Sequence, residues 1–518
     1  ISACIAYAEE ISIPKNAFEI QMLYGMADDF KQALIAMDFR VREYAPIGEL
    51  IPGMAYLVRR LLENTSNESF LKSKFVDHTE IKELMKDPAE NLEASNDFPA
   101  TKERFYNEAM LDFVIPENRN KLSLAIESSK KQHIGPYKLF IEGKSVETSR
   151  KLDSLNPSDE SLVGSFYLAT EVEAEKAVKS ALKALPEWSK TSVEKRASLL
   201  EALADKILER RFELIALEIR EVGKTWSEAD ADITEAVDFC RYYAREMRRL
   251  DQPHRVGAVL GEVSMYHYRA RGVSLVIAPW NFPLAILTGL VTSSLVTGNT
   301  VVMKPAEQST ITAAVLMDMI IEVGFPSEVV QFLPGIGEEV GEYLVNHSEI
   351  ATIAFTGSKN VGLGIVQKAA KTKSGQTQVK KCVIEMGGKN AIIVDNDADL
   401  DVAIDGILYS CFAFAGQKCS ACSRIIVVGD IYERFMERFL DSANSLLQDK
   451  ASNPKAYAGP VIDEESKNRV LEFLDKISDK NKIAFQAEVP DQGFFVPFTI
   501  VTEVEPQDEI ANTELFAP

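Results

Sequence analysis

The chain has 518 residues and a formal net charge of −21, from 57 Lys+Arg against 78 Asp+Glu. Its 46% hydrophobic and 26% charged residues are ordinary globular composition, which excludes a disordered, collagenous or disulfide-stapled chain. So acidic a chain repels phosphate backbones, and without a basic patch no nucleic-acid binding is expected of this segment.

Residues 1–71 read as the tail of an alternating β/α fold, with extended runs at 17–23 and 40–44 and helical patterns at 27–38 and 51–62. Residues 72–136 are charged, poor in aromatics and punctuated by Pro88, Pro99 and Pro116, the character of a linker with some helix. Amphipathic helices are predicted over 171–185, 193–221 and 224–250. After Arg271, short apolar runs at 273–278, 300–304, 329–333, 352–355 and 382–385 alternate with helical patterns. That alternation argues a parallel sheet covered on both faces, with ligands beyond the carboxyl ends of its strands. The fold class is therefore α/β. The apolar stretches at 272–279 and 291–303 are too short or too broken to cross a bilayer. Six Cys in so long a chain read as reduced thiols, and a cytoplasmic location is expected. The chain opens on Ile1 and stops at Pro518 inside a motif, so it is expected to be a piece of a longer polypeptide.

The chemistry gathers at strand ends. Cys419, in Gly416-Gln417-Lys418-Cys419-Ser420, follows a glycine-containing turn and is a candidate nucleophile. A lone Cys is more often a packing residue, the reading given to Cys4, Cys240, Cys382 and Cys411. Cys422 leaves a Cys-x-x-Cys redox or metal pair open, but no second pair or nearby His supports zinc, and no metal is expected. A Cys–His dyad also stays open, although none of the scattered His is singled out by spacing. Glu385, ahead of Gly387 and Gly388, is a carboxyl at the end of an apolar strand, where a partly dry site would suit a general base. Asn281, in Pro279-Trp280-Asn281-Phe282-Pro283, is a candidate oxyanion donor. Nucleophile, base and donor together suit acyl-type chemistry at a carbonyl. Lys304 and Glu307 could both bond ribose hydroxyls, and Gly357-Ser358 before a helix start suits a pyrophosphate. Gly335-Ile336-Gly337 is followed by Gly341 one residue out of step for a dinucleotide fingerprint and carries no weight.

These motifs, in this order, resemble the aldehyde dehydrogenase superfamily from about residue 137 to the end. The resemblance implies an aldehyde dehydrogenase fold, a Rossmann-like NAD domain over 137–385 plus a thiol-bearing α/β catalytic domain over 386–518, cut short at its C-terminus. It implies Cys419 as nucleophile, Glu385 as base for the deacylating water, and Asn281 with the Cys419 N–H as oxyanion hole. NAD would be held by Lys304 and Glu307 at the adenosine ribose, Gly357 and Ser358 at the pyrophosphate, and Glu514 and Phe516 at the nicotinamide end. The family usually has Gly where this chain has Ala517. The run from Gly416 to Ser423, with Gly223-Lys224-Thr225-Trp226, looks like the glutamate γ-semialdehyde (1-pyrroline-5-carboxylate) dehydrogenases, in which Ser420 would hold the substrate α-carboxylate. Alternatives are an aldehyde dehydrogenase for another aldehyde and a non-catalytic scaffold with this fold.

Residues 1–71 are similar to the last β/α units of the (β/α)₈ proline dehydrogenase barrel. On that resemblance Arg59 and Arg60 grip the proline carboxylate, Tyr44 lies over the substrate and Glu63 supports the arginines, while most of the FAD site falls outside this chain. The combined layout is that of the bifunctional proline utilisation A family. It implies the small-molecule substrates proline and glutamate semialdehyde, NAD, FAD in the full-length parent, and a homo-oligomer.

Overall fold

A computed structural model describes residues 2–10, 12–24, 27–45, 105–477 and 482–518. The chain forms two units, residues 1–104 and residues 105–518. In the first, strands Ile20–Leu23 and Val41–Tyr44 pair in parallel around the helix Asp28–Ala36, the crossover that parallel strands require. Leu34 and Phe39 are buried beneath it, and Arg42 bonds Glu19 across the pair at 2.7 and 2.8 Å. Tyr44 is exposed. Arg59, Arg60 and Glu63 lie outside the described residues.

The second unit is built on a seven-stranded sheet. From one edge its strands are Lys381–Met386, Ile350–Gly357, Val273–Ile277, Thr300–Lys304, Val330–Phe332, Leu139–Ile141 and Lys144–Val146. The first five are parallel, and the last two join antiparallel. Among the parallel five the strand order reverses between Val273–Ile277 and Ile350–Gly357. Such a reversal opens a crevice at the carboxyl ends, where ligands bind. Val273, Leu275, Val301, Val302 and Ile353 have no exposed surface, because helices cover both faces of these strands. A smaller parallel pair, Asn390–Val394 with Cys422–Val427, belongs to a separate core with Phe412, Phe435 and Phe498.

Two helices differ from the sequence pattern. The helix predicted over 193–221 is two, Val193–Glu209 and Arg211–Glu221, because Arg210 leaves helical geometry at φ −98°, ψ 14°. The helix Glu171–Lys190 runs through Pro186 and begins with a capping box between Thr170 and Glu173. Residues 105–136, expected as linker, are part of the second unit. Leu122 and Ile126 sit in its core, and the Leu111 N–H donates to Asp230 at 2.6 Å. Composition shows the charge of this stretch and not the partners that neutralise it. Among the described residues no helix is long and apolar enough to cross a membrane.

Helix starts at the crevice are capped from below by buried carboxylates. Glu221 accepts the N–H groups of Ile311 and Thr312 at 2.7 and 2.8 Å and the Thr312 hydroxyl at 2.6 Å, which satisfies donors that the first turn of a helix leaves unpaired. Burial outweighs these bonds and pushes its carboxyl from 4.5 up to about 7. The folded protein thus holds a proton there that the unfolded chain releases at lower pH. The stabilising contribution is complete below the unfolded value and is lost as pH rises through the folded one. Unfolding in urea at about pH 5 and about pH 7.5 should therefore move the stability difference between Glu221→Gln and wild type in favour of Gln at the higher pH. An unchanged difference would mean that Glu221 titrates alike in both states.

Candidate active site

The segment that presents Cys419 starts from a strained turn. After the helix Leu400–Phe412, Phe414, Ala415 and Gly416 follow one another in the left-handed region at φ 50°, 53° and 66°. Two of the three are not glycine, and each such residue costs about 1 kcal/mol or more unless packing enforces it. Packing does enforce it: Phe414 and Ala415 have no exposed surface, and a Cβ on Gly416 would lie 2.5 Å from the Ala517 carbonyl oxygen. Gln417, also fully buried, donates to the carbonyls of Phe414 and Pro460 at 3.2 and 3.3 Å and accepts the Ile462 N–H at 2.9 Å.

Asn281 reaches this segment from the end of the strand Val273–Ile277. It is buried, and its Nδ2 donates to the Gln417 carbonyl at 2.9 Å. One amide N–H is used there, which leaves a second donor on the same nitrogen. On the far side of Cys419, the Asn390 Nδ2 donates to the carbonyls of Cys419 and Ala421 at 2.8 and 3.0 Å. Lys418 is drawn back by Glu228 at 2.6 Å, with its ammonium 5.1 Å from the Tyr409 ring centre. Cys419 itself is exposed. It opens into a cleft of about 450 Å³ shared with Ser420, Phe282, Tyr409 and Glu235.

Glu385 stands elsewhere. It is exposed on Lys381–Met386, the edge strand of the sheet, paired in register with Thr356, and it does not line the cleft of Cys419. The partly dry setting expected for it from the sequence is absent. Glu235 does line the cleft, although it is exposed as Glu385 is. Burial and the charge of Asp232 push its carboxyl up, against the pull of Lys224. No motif marks Glu235. Its only signal in the sequence is a seven-residue spacing from Glu228 along the helix Trp226–Leu250, which puts both on one face.

At the other side of the crevice, Lys304 is buried with its Nζ 3.1 Å from Glu307 Oε1, and the same oxygen accepts the Gly337 N–H at 2.8 Å. An ammonium beside a carboxylate is a donor and acceptor set that fits the vicinal hydroxyls of a ribose. The glycine run 335–341, passed over in the sequence, is thus part of this corner. Ser358 caps the helix Lys359–Ala369, whose Val361 N–H lies 3.4 Å from its Oγ. The free N–H groups of such a start fit a pyrophosphate. Glu514 accepts the Gly388 N–H at 3.2 Å and fills the space a Cβ on Gly387 would need. Phe516 packs edge-on to Trp280 at 5.7 Å. The left-handed residue of this last segment is Phe516, at φ 56°, while Ala517 has ordinary negative φ, so no glycine is required at 517. The structure therefore joins Asn281 to the Cys419 segment, Lys304 to Glu307, and Glu514 to Gly387–Gly388, and it leaves Glu385 apart from the Cys419 cleft. Among the described residues no group of three His, Cys, Asp or Glu is placed to hold a metal ion.

Comparison with known proteins accords with this geometry. Residues 144–518 match the model of the aldehyde dehydrogenase family, and residues 1–73 match that of proline dehydrogenase. A 1-pyrroline-5-carboxylate dehydrogenase of Geobacillus sp. (strain WCH70) is 39% identical over 416 residues, 80% of this chain and 81% of the relative. The crystal structure of a 1-pyrroline-5-carboxylate dehydrogenase from Thermus with bound NAD is 40% identical, at a TM-score of 0.78 over 80% of this chain and 81% of that one. Proline utilization A (PutA) from Bdellovibrio bacteriovorus, inactivated by N-propargylglycine, is 53% identical with a TM-score of 0.86. That match covers all of this chain and 54% of the PutA chain, so the chain spans about half the length of that relative. The chain belongs to the aldehyde dehydrogenase family, with a proline dehydrogenase segment ahead of it.

Proposed function

We propose that this chain oxidises L-glutamate γ-semialdehyde, the open form of 1-pyrroline-5-carboxylate, to L-glutamate with NAD, and that the whole protein couples this to FAD-dependent oxidation of L-proline. The observation that carries the reading is the exposed Cys419 in a cleft with Ser420, on a segment tied to the buried Asn281 amide.

Cys419 Sγ attacks the aldehyde carbon to give a thiohemiacetal. The developing oxyanion takes the second Asn281 N–H and the Cys419 backbone N–H, donors already fixed before reaction. Ser420 Oγ donates to the substrate α-carboxylate. Lys304, Glu307, Ser358, Glu514 and Phe516 would hold NAD, which would supply the acceptor for the hydride whose departure leaves the Cys419-bound carbon as a thioester. A carboxylate then takes a proton from the water that hydrolyses the thioester. Family resemblance gives that task to Glu385, whereas position in the cleft favours Glu235. Residues 2–45 include too little of a barrel to test a flavin against them, and proline oxidation rests on the match of residues 1–73 alone. The proposed setting is cytoplasmic and homo-oligomeric, with small-molecule substrates and no nucleic acid.

The reading is tested by NADH formation from 1-pyrroline-5-carboxylate in the full-length protein. A carboxylate-free aldehyde of the same length should react with a much higher KM, and equal KM values would remove the substrate assignment. Cys419→Ala should abolish NADH formation and leave NAD binding intact, since it removes the covalent route and no cofactor contact. Retention of more than about a hundredth of kcat, a barrier change of only about 2.7 kcal/mol, would point to another nucleophile.

The two carboxylates separate in pre-steady-state kinetics. The variant that removes the hydrolytic base should keep a burst of NADH and lose steady turnover, because an amide cannot accept the water proton. Glu385→Gln and Glu235→Gln are to be compared side by side. A burst with slow turnover in Glu235→Gln only would transfer the role to Glu235, and the reverse would keep it with Glu385.

Glu307 predicts cofactor choice. Its carboxylate would meet the 2′-phosphate of NADP as a like charge in a half-buried corner, with Lys304 offsetting part of the repulsion. NAD should be preferred by at least about tenfold in kcat/KM, about 1.4 kcal/mol. Glu307→Ser should narrow the ratio, and comparable use of both cofactors by wild type would withdraw Glu307 from the ribose.

A further inference from the structure

Lys224 has no exposed surface, and the chemistry above gives it no task. Its Nζ lies 3.2 Å from Asp232 Oδ1 and makes no hydrogen bond among the described residues. What it touches instead is ring faces, at 4.1 Å from the centre of Phe282 and 5.1 Å from the centre of Phe414. Glu218, equally buried, completes the group. Burial, then the charge of Asp232, raise its carboxyl well above the ordinary range. Lys224 and Asp232 are a fully buried ion pair, the arrangement in which a charge is tolerated away from water.

The two rings are the informative part. Phe282 is the residue after Asn281. Phe414 opens the left-handed run that leads into Gln417, whose carbonyl accepts the Asn281 amide. An ammonium attracted to both ring faces fixes their separation, and with it the separation of the two backbone segments. Asp232, the counter-ion, uses its other oxygen to accept the N–H groups of Leu284 and Ala285, at 3.0 and 3.2 Å, at the start of the helix that follows Asn281 and Phe282. A buried ion pair kept only to fill space could be replaced by apolar side chains at little cost. This one grips both sides of the proposed oxyanion hole.

We propose that Lys224 is a positioning residue for aldehyde oxidation: seated on Phe282 and Phe414, it sets where the Asn281 amide lies relative to the Cys419 segment. The proposal rests on the aldehyde-oxidation reading given above, which the wild-type assay tests by itself. The decisive experiment is a double-mutant cycle in the full-length protein, combining Lys224→Met with Asn281→Ala. Lys224→Met alone should lower kcat about tenfold or more, within the roughly 100- to 1000-fold that losing one oxyanion donor costs, and leave KM for NAD unchanged. In the Asn281→Ala background it should cost nothing further, because no amide remains to be misplaced. Losses that multiply in the double variant would overturn the proposal, as would a fall in thermal stability with kcat unchanged. Where Lys224→Met leaves Asp232 unpaired and fails to fold, Phe414→Leu keeps the ion pair and removes one ring. It should again be non-additive with Asn281→Ala, and additivity there would equally overturn the assignment. A wild-type protein without aldehyde oxidation would remove the reading beneath the proposal and the proposal with it.

Discussion

A carboxylate taken out of water must find donors or a counter-ion, and two such groups, with a third that faces the cleft, sit on one helix beside the site. Glu228, Asp232 and Glu235 recur at intervals of four and three residues along Trp226–Leu250, so they share one face. Glu228 draws back Lys418, the residue before Cys419. Asp232 caps the helix that follows Asn281 and Phe282 and pairs with Lys224. Glu235 faces the cleft itself. Each bond joins segments more than 50 residues apart, apart from the Lys224 pair. The helix therefore does for the thiol side of the site what the sheet does for the nucleotide side, in that it converts separate loops into fixed neighbours. Desolvation enforces this, because leaving buried Glu228 or Asp232 unpaired costs more than the bond itself contributes.

The same constraint explains what could be read from the sequence. Strands whose two faces are both covered must be apolar along their length, so the runs near 273–278 and 300–304 stand out, and residues just beyond them fall at the crevice. The candidates Asn281, Lys304, Glu307 and Ser358 all lie just beyond such runs. Glu235 is not legible in this way, because it is one acid among 78 Asp+Glu and its significance depends on which way a helix turns against a loop nearly 200 residues away. Gln417 and Asn390 hide for a similar reason. Amides are common, and only tertiary contact distinguishes one that ties down a backbone carbonyl from one in water. Glu385 shows the converse limit. Its place at a strand end was legible, but burial depends on what covers the edge strand, and local sequence contains no measure of that. The break at Arg210 was equally invisible, since apolar spacing continues across it while φ and ψ do not.

The charge of the chain bears on how a dinucleotide would be held. A net charge of −21 would seem to oppose an anionic cofactor. At physiological ionic strength, however, exposed charges are screened beyond about 8 Å, so most of that surface is not felt in the crevice. On the proposed reading a pyrophosphate meets the N-terminus of Lys359–Ala369, with its partial positive charge, and the ribose meets the buried ammonium of Lys304. Lys304 is in turn held by Glu307, which also binds the Gly337 amide, so cation and acceptor are fixed relative to each other before any ligand arrives. An acidic exterior and an anion-accepting crevice are therefore compatible. The exterior repels unspecific polyanions, and on the proposed reading the few short-range donors select a ligand that can reach them.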